Sequence, residues 1–187
     1  MAKIIVLMGG QGVGKGTFSA MLRAAADYNY IETGALFRAL PADSEIGRLI
    51  AAGNLVPDEK LFELVASKID DKKNILVDGF PRTLPQARWF VENYADKFNI
   101  KILYLNVPEE IMLARIHKRR HVDGAGRADD ADMAAVRRRL DTFRNVTMPA
   151  IEWLSGAAGI DFRDVDVSGE LHDNFARILR SLKMNSK

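Results

Sequence analysis

Lys3-Ile4-Ile5-Val6-Leu7-Met8-Gly9-Gly10-Gln11-Gly12-Val13-Gly14-Lys15-Gly16-Thr17 is the stretch that decides the fold. Its first six residues form an apolar run with β-branched residues and no alternation, which is typical of a strand buried on both faces of a parallel sheet. Residues 18–26 are rich in alanine, leucine, methionine and arginine, and they predict a helix. The stretch therefore predicts a strand, a glycine-rich loop and a helix, in that order.

This order predicts a phosphate-binding loop. Glycines let backbone N–H groups approach an anion closely, and the start of a helix adds unpaired N–H groups and the positive end of its dipole. Lys15 supplies a mobile cation for the outer phosphates, and the spacing Gly9-x-x-x-x-Gly14-Lys15 fits the P-loop pattern. Gly16 follows the lysine where serine or threonine is usual, so the hydroxyl comes one place later, at Thr17.

The bulk properties indicate one ordinary globular domain. The length of 187 residues suits a single domain, and 48% hydrophobic with 28% charged residues excludes a disordered chain. The chain has no cysteine, and its three histidines have no compact ligand spacing, so we expect neither a disulfide nor a structural zinc. A net charge of +2 does not argue for a nucleic-acid partner. We find no signal peptide and no membrane span, so the cytoplasm is the expected location and no membrane partner is expected.

Strand and helix patterns alternate along the rest of the chain. Further strands are predicted at 30–31, 74–79, 101–106 and 160–166, the last at a sheet edge because its residues alternate in polarity. Helices are predicted at 35–40, 44–52, 57–69, 84–97, 108–120, 132–148, 151–158 and 171–182, with Thr33 as an N-cap. The alternation predicts an α/β fold of three layers, in which a five-stranded parallel sheet has helices on both faces. Ligands of such a fold bind beyond the carboxyl ends of the strands.

Asp78 ends the second buried strand, so we expect its carboxylate beside the phosphate-binding loop. A carboxylate in that place can hold Mg²⁺ through water, because Mg²⁺ keeps most of its hydration shell. The sequence therefore predicts a magnesium-assisted phosphate site.

Two loops together resemble the adenylate kinase family of nucleoside monophosphate kinases. They are Gly14-Lys15-Gly16-Thr17 and Asp78-Gly79-Phe80-Pro81-Arg82-Thr83-Leu84-Pro85-Gln86-Ala87. Weaker matches are Thr33-Gly34 with Arg38, Leu55-Val56-Pro57-Asp58-Glu59, Val107-Pro108-Glu109-Glu110 leading to Arg115 and Arg119, and Gly126-Arg127-Ala128-Asp129-Asp130. The similarity covers nearly the whole chain in a consistent order.

The resemblance implies a P-loop NTPase fold and a reaction. The family transfers the γ-phosphoryl group of Mg·ATP to AMP, which gives two ADP, and no covalent intermediate is needed. The implied core spans 1–31, 59–120 and 131–187, with an AMP-binding insert at 32–58 and a short lid at 121–130. A lid would exclude water as a competing acceptor. We expect a monomer with ATP and AMP as its substrates and Mg²⁺ as its cofactor.

The resemblance also implies roles for individual residues. Guanidinium forks suit a phosphate, and the Gln86 amide can read an adenine edge. The implied ATP-binding residues are Gly12, Val13, Gly14, Lys15, Gly16, Thr17, Arg115, Arg119 and Gly169. The implied AMP-binding residues are Thr33, Arg38, Asn54, Leu55, Val56, Gly79, Phe80, Pro81, Arg82, Gln86, Arg127 and Arg139. The implied catalytic residues are Lys15, Arg82, Arg119, Arg127 and Arg139, and Asp78 is the implied magnesium residue.

Helical geometry narrows the choice among three consecutive arginines. The predicted apolar stripe runs through Met133, Val136, Leu140 and Phe143. Arg138 points about 180° from that stripe, whereas Arg137 and Arg139 flank it. Arg139 precedes an apolar residue as the family's catalytic arginine does, so we assign the role to Arg139. Arg115 and Arg119 are four residues apart and share a helix face.

The sequence departs from the family pattern at several positions. Gln11 stands where proline is usual, Ala35 stands where aspartate usually follows Thr-Gly, and residues 39–45 are few. The stretch from Arg127 to Arg139 has one residue more than is usual.

Three alternative functions fit the sequence less well. A kinase for UMP or CMP is the nearest, but such relatives usually carry asparagine after Gly-Phe-Pro-Arg and lack a glutamine like Gln86, so Thr83 and Gln86 favour AMP. A non-catalytic nucleotide-binding switch would not need so many arginines together with Asp78. A nucleic-acid binder using residues 115–120 would need interleaved aromatic residues, which that segment lacks.

Overall fold

The computed structural model describes residues 1–41, 43–51, 56–121 and 133–184. Five strands in these residues form one sheet in which every pair is parallel, in the order β2-β3-β1-β4-β5. The prediction of a five-stranded parallel sheet is confirmed, and the predicted edge strand lies at an edge. The strands are β1 (Lys3–Met8), β2 (Asn29–Glu32), β3 (Ile75–Asp78), β4 (Asn99–Asn106) and β5 (Ile160–Asp166).

Helices connect the strands and cover both faces of the sheet. Within the described residues they are α1 (Lys15–Ala25), α2 (Thr33–Arg38), α3 (Glu45–Ala51), α4 (Asp58–Lys68), α5 (Leu84–Tyr94), α6 (Glu109–His121), α7 (Met133–Thr142), α8 (Met148–Ser155) and α9 (Leu171–Ser181), with a π-helical turn at Phe143–Thr147. None of these helices is long and apolar enough to cross a bilayer.

Each central strand contributes alternate side chains to two separate cores. Val6 packs in a cluster with Phe90 of α5 and Leu154 of α8. The next residue, Leu7, packs on the other face with Leu22 of α1 and Ile178 of α9. Since Ile4 to Met8 are all no more than 3% exposed, the predicted burial of this strand on both faces is confirmed.

The helices after residue 132 differ from the prediction. Two helices with a break near residue 149 are expected from the sequence, but α7, the π-helical turn and α8 follow one another without interruption. The Met148 N–H donates to the Phe143 carbonyl, five residues back, and Pro149, which has no N–H to give, enters at the start of α8. The wider turn thus carries the helix past a proline. Met133, predicted in the apolar stripe, is 45% exposed, so the stripe begins at Val136.

The start of α2 also differs from the prediction. Thr33 was expected to cap this helix, but the helix begins at Thr33 and Glu32 is the N-cap residue. The reason is a longer-range contact, because the Thr33 hydroxyl donates to the Gly79 carbonyl at 3.0 Å instead of accepting from the helix.

Candidate active site

The glycine-rich loop closes around the side chain of Lys15. Gly9, Gly12 and Gly14 have φ angles of 145°, 85° and 100°, which residues with a Cβ rarely adopt. A Cβ on Gly12 would also lie 2.6 Å from the Met112 carbonyl oxygen. Helix α1 begins at Lys15 directly after Gly14, and no side chain caps it. A helix N-terminus in this position favours an anion.

The ammonium group of Lys15 lies at the mouth of this loop. Its Nζ donates to the carbonyl oxygens of Gly9 at 2.7 Å and Gly10 at 3.0 Å. The loop thereby presents its N–H groups and a cation at the carboxyl end of β1, as the sequence predicts.

Two carboxylates follow neighbouring strands beside the loop. Asp78 ends β3 in register with Leu7 of β1, and it is 6% exposed. Glu32 ends β2 in register with Asp78. Residues in register on parallel strands face the same side of a sheet, so both carboxylates lie on the α1 side. Oxygen donors in this position fit the predicted Mg²⁺.

Glu32 and Tyr30 were not assigned to the site from the sequence. The Tyr30 hydroxyl donates to Glu32 Oε2 at 3.2 Å, and the Arg23 guanidinium lies 4.7 Å from the centre of the Tyr30 ring. Burial, and then the negative charge of Asp78, raises the pKa of Tyr30 well above its usual value. The sequence signal that indicates a place for Glu32 in the site is its position, because it is the last strand residue before Thr33-Gly34.

The second predicted loop is built around the Gly79 carbonyl. Gly79 has a φ of 89°, and its carbonyl oxygen accepts from Thr33 Oγ1 at 3.0 Å and from Arg82 Nε at 2.7 Å. A Cβ on Gly79 would lie 2.9 Å from Thr33 Oγ1 and 3.0 Å from Arg82 Nη2. The structure therefore brings together three of the residues predicted to bind AMP. Phe80, which follows, is buried at 1% exposure, and Pro81 is joined to it by a cis peptide bond.

Gln86 is bonded within the protein on both sides of its amide. Its Oε1 accepts from the Arg82 backbone N–H at 2.7 Å, and its Nε2 donates to Asp58 Oδ1 at 2.7 Å. Thr83 caps α5 through its hydroxyl, which accepts from the Gln86 backbone N–H at 3.3 Å. Gln86 is 1% exposed, so a base reaches it only if the residues over it move.

Arg115 connects helix α6 to two loops at the carboxyl end of the sheet. Its Nη1 donates to the Val13 carbonyl at 3.2 Å and its Nη2 to the Val167 carbonyl at 2.9 Å. The loop after β5 is held further by Asn174, whose Nδ2 donates to Val167 and to Gly169 at 2.9 and 2.6 Å. Arg115 therefore borders the glycine-rich loop on the side of Gly169.

The remaining predicted arginines differ in their exposure to solvent. Arg119 is half-buried, as is Arg115 one turn earlier, which agrees with their sharing a helix face. In α7, Arg139 is half-buried while Arg137 and Arg138 are exposed. The exposure of Arg138 agrees with its predicted orientation away from the core, whereas Arg137, which was predicted to flank the apolar stripe, is exposed as well.

Several predicted site residues lie outside the residues that the structure describes. Residues 52–55 and 122–132 are not among those described, and neither is the Arg38 side chain. These ranges contain three of the predicted site residues, Asn54, Leu55 and Arg127. They also contain the whole predicted lid except His121, which ends α6.

The π-helical turn places Phe143, which is not among the predicted site residues, beside the glycine-rich loop, where Met112 of α6 also lies. A Cβ on Gly10 would lie 2.7 Å from Met112 Sδ and 3.4 Å from Phe143 Cδ1. Arg144 pairs with Glu109 at the start of α6 and with Asp141 at 3.2 Å. This turn therefore packs against the loop and ties α7 to α6, a contact that no local pattern indicates.

Comparisons with known proteins agree with this geometry. The family model described as adenylate kinase matches residues 7–158. An adenylate kinase of Porphyromonas gingivalis is 36% identical over 162 residues, which cover 81% of each chain. One of Phocaeicola vulgatus is 35% identical over 159 residues, covering 80% of this chain and 82% of its own. One of Stenotrophomonas maltophilia is 34% identical over 194 aligned positions, covering 96% and 98%.

Proposed function

We propose, because this chain belongs to the adenylate kinase family, that it transfers the γ-phosphoryl group of ATP reversibly to AMP and gives two ADP. The chain is thus a phosphotransferase, and among nucleoside monophosphate kinases it acts on AMP. ATP and AMP are its substrates.

One observation carries the proposal. Strands β1 and β3 are hydrogen-bonded neighbours, with Leu7 in register with Asp78. The loop that holds Lys15 and the loop that holds Arg82 therefore leave the same edge of the sheet side by side. Two phosphate-binding loops that follow neighbouring strands suit a donor nucleotide and an acceptor nucleotide that meet end to end.

Binding and alignment account for most of the catalysis that we propose. Phosphoryl transfer needs the attacking and leaving oxygens in line and its developing charge neutralised, with little covalent chemistry from the protein. The α1 N-terminus and Lys15 hold the ATP phosphates, and Lys15 exchanges its two carbonyl partners for phosphate oxygens. Arg82 binds the AMP phosphate, which is nucleophilic enough to need no general base.

Asp78 is the residue that we propose to hold magnesium through water, with Glu32 beside it. When bound, the ion would neutralise charge on the donor phosphates. We propose that this ion is shared with the nucleotide, because Mg²⁺ is usually bound by one or two carboxylates together with substrate phosphates.

Arginines complete the proposed charge stabilisation. Arg119, Arg127 and Arg139 would surround the transferring group, because guanidinium groups bind equatorial oxygens bidentately. Arg115 would stack over the ATP adenine, beside Gly169, after releasing Val13 and Val167.

The finer organisation is also a proposal. The core would comprise 1–31, 59–120 and 131–187, with the AMP-binding insert at 32–58 and the lid at 121–130. From the sequence predictions, we also propose that the protein acts as a monomer in the cytoplasm and has no nucleic-acid partner.

A coupled assay of ADP formation tests the proposal. Purified protein receives Mg·ATP with AMP, CMP, UMP or GMP in parallel reactions, and each reaction is repeated without magnesium. We expect turnover with AMP that exceeds that with the other acceptors and that stops without magnesium. Faster turnover with UMP or CMP would overturn the acceptor assignment, and no turnover with any acceptor would overturn the kinase assignment.

A further inference from the structure

The orientation of the Gln86 amide is fixed by two partners of opposite character. The Arg82 backbone N–H can only donate, and it lies 2.7 Å from Gln86 Oε1. The Asp58 carboxylate can only accept when ionised, and its Oδ1 lies 2.7 Å from Gln86 Nε2. Exchanging the amide oxygen and nitrogen would set donor against donor and acceptor against acceptor.

Burial makes this constraint strict. Gln86 is 1% exposed, so water cannot satisfy a reversed amide. An unpaired polar group in such a place loses its hydrogen bond without compensation. Asp58, in the first turn of α4, is half-buried beside it.

The fixed amide leaves a defined pattern for a ligand. Of its four hydrogen-bonding positions, the two internal bonds take one lone pair of Oε1 and one N–H of Nε2. Among the described residues no further partner takes the second acceptor position of Oε1 or the second donor position of Nε2, and the places of the oxygen and the nitrogen are set by Arg82 and Asp58. Adenine offers an amino N–H next to a ring nitrogen acceptor, whereas a 6-oxopurine offers a carbonyl next to a ring N–H, which is the reverse order.

We propose that Asp58 is a specificity-determining positioning residue, which orients the Gln86 amide so that the acceptor site takes a 6-aminopurine and rejects a 6-oxopurine. This inference rests on the proposed function, because it takes Gln86 as the reader of the AMP base. Asp58 itself needs no contact with the nucleotide. A glutamine free to rotate by 180° would offer either order and would accept both bases.

The test compares AMP with inosine monophosphate, which differ in this edge of the base. The ratio of kcat/KM for the two acceptors is measured with saturating Mg·ATP for the unaltered protein and for Asp58→Asn. Asparagine can donate or accept, so it removes one of the two constraints on the amide. We expect the AMP preference to fall by up to about tenfold, which is less than the full discrimination of a bidentate glutamine–adenine contact, because the Arg82 N–H still favours the original orientation. KM for ATP should remain unchanged.

Control variants separate this role from a structural one. Asp58→Glu keeps an acceptor-only group and should retain the preference. Glu59→Gln removes the adjacent exposed carboxylate from the same helical turn and should leave the ratio unaltered. Should Asp58→Asn fail to fold, Asp58→Ser offers a hydroxyl that also donates or accepts. If kcat/KM for both acceptors fell by the same factor, the ratio would be unchanged and the inference would be overturned.

A further variant distinguishes failure of the inference from failure of the base assignment. Gln86→Ala should lower kcat/KM for AMP about tenfold or more. If Gln86→Ala has this effect while Asp58→Asn keeps the AMP preference, only the role of Asp58 is wrong. If Gln86→Ala leaves AMP turnover unchanged, the assignment of Gln86 to the base is wrong and the inference falls with it.

Discussion

Replacing Gly79 by alanine is expected to damage the acceptor half of the site and to spare the donor half. Gly79 has a φ of 89°, which disfavours any residue with a Cβ. The added methyl group would lie 2.9 Å from Thr33 Oγ1 and 3.0 Å from Arg82 Nη2, closer than normal packing allows. Both side chains must then move, and both are proposed to bind AMP.

The expected loss of stability is modest. Holding a non-glycine residue in a left-handed conformation costs about 1–2 kcal/mol. Alanine also restricts the unfolded chain, which offsets about 0.4–1 kcal/mol of that cost. The net change of about 1 kcal/mol corresponds to a Tm that is lower by about 2–4 °C for a chain of this size.

The expected loss of activity is larger than the loss of stability. Clearing the methyl group moves the Arg82 guanidinium and the Thr33 hydroxyl by a fraction of an ångström to about 1 Å, and misplacement on that scale costs about 10²-fold in rate. We therefore expect kcat/KM for AMP to fall about 10²-fold while KM for ATP stays the same.

Steady-state kinetics with each substrate varied, together with thermal unfolding, measures both effects. Gly156→Ala is the matched control, because Gly156 has a φ of −110° and nothing lies within 4 Å of the added Cβ. It should keep full activity and an equal or slightly higher Tm. Unchanged AMP kinetics in Gly79→Ala would refute the acceptor site built around the Gly79 carbonyl.

Three further predictions concern the donor loop, the arginines and the tyrosines. Lys15→Met should abolish transfer while the protein stays folded, as followed by the ADP assay and circular dichroism; residual turnover within about tenfold of the unaltered rate would contradict the role of Lys15. Arg139→Ala should lower kcat by about 10³-fold and exposed Arg138→Ala should not, so equal kcat values for the two variants would refute the choice between them. Burial raises the pKa of all four tyrosines above 10.0, so their contribution to the free energy of unfolding is fully present below pH 10 and is lost as the pH rises beyond it. Tyrosinate absorbance of the folded protein should therefore rise at a higher pH than that of the unfolded protein, whereas equal midpoints would contradict the partial burial of Tyr28, Tyr30 and Tyr104 and the burial of Tyr94.

Local patterns suffice for the sheet and the glycine-rich loop because their causes are local. A continuous apolar run is the signature of a strand buried on both faces, and the strand containing Val6 meets that description. The glycines at 9, 12 and 14 adopt backbone conformations that require glycine. Alternation in β5 likewise corresponds to its place at the sheet edge.

Other features depend on contacts between distant residues and could not be read from local patterns. Thr33 looks like a helix cap, but its hydroxyl bonds to Gly79, which is 46 positions away. Asp58 looks like an ordinary first-turn acid, yet it holds Gln86, 28 positions away. The π-helical turn joins α7 to α8 just before Pro149, and only the fold brings Phe143 to the glycine-rich loop.

Transfer of the γ-phosphoryl group of ATP to AMP rather than to water is the central claim, and labelled ATP tests it most directly. ATP carrying a radioactive γ-phosphate is incubated with AMP, Mg²⁺ and the protein, and the products are separated. We predict that the label appears in the β-position of newly formed ADP and not in inorganic phosphate. Label released as inorganic phosphate, or no labelled ADP formed when AMP is present, would contradict the claim.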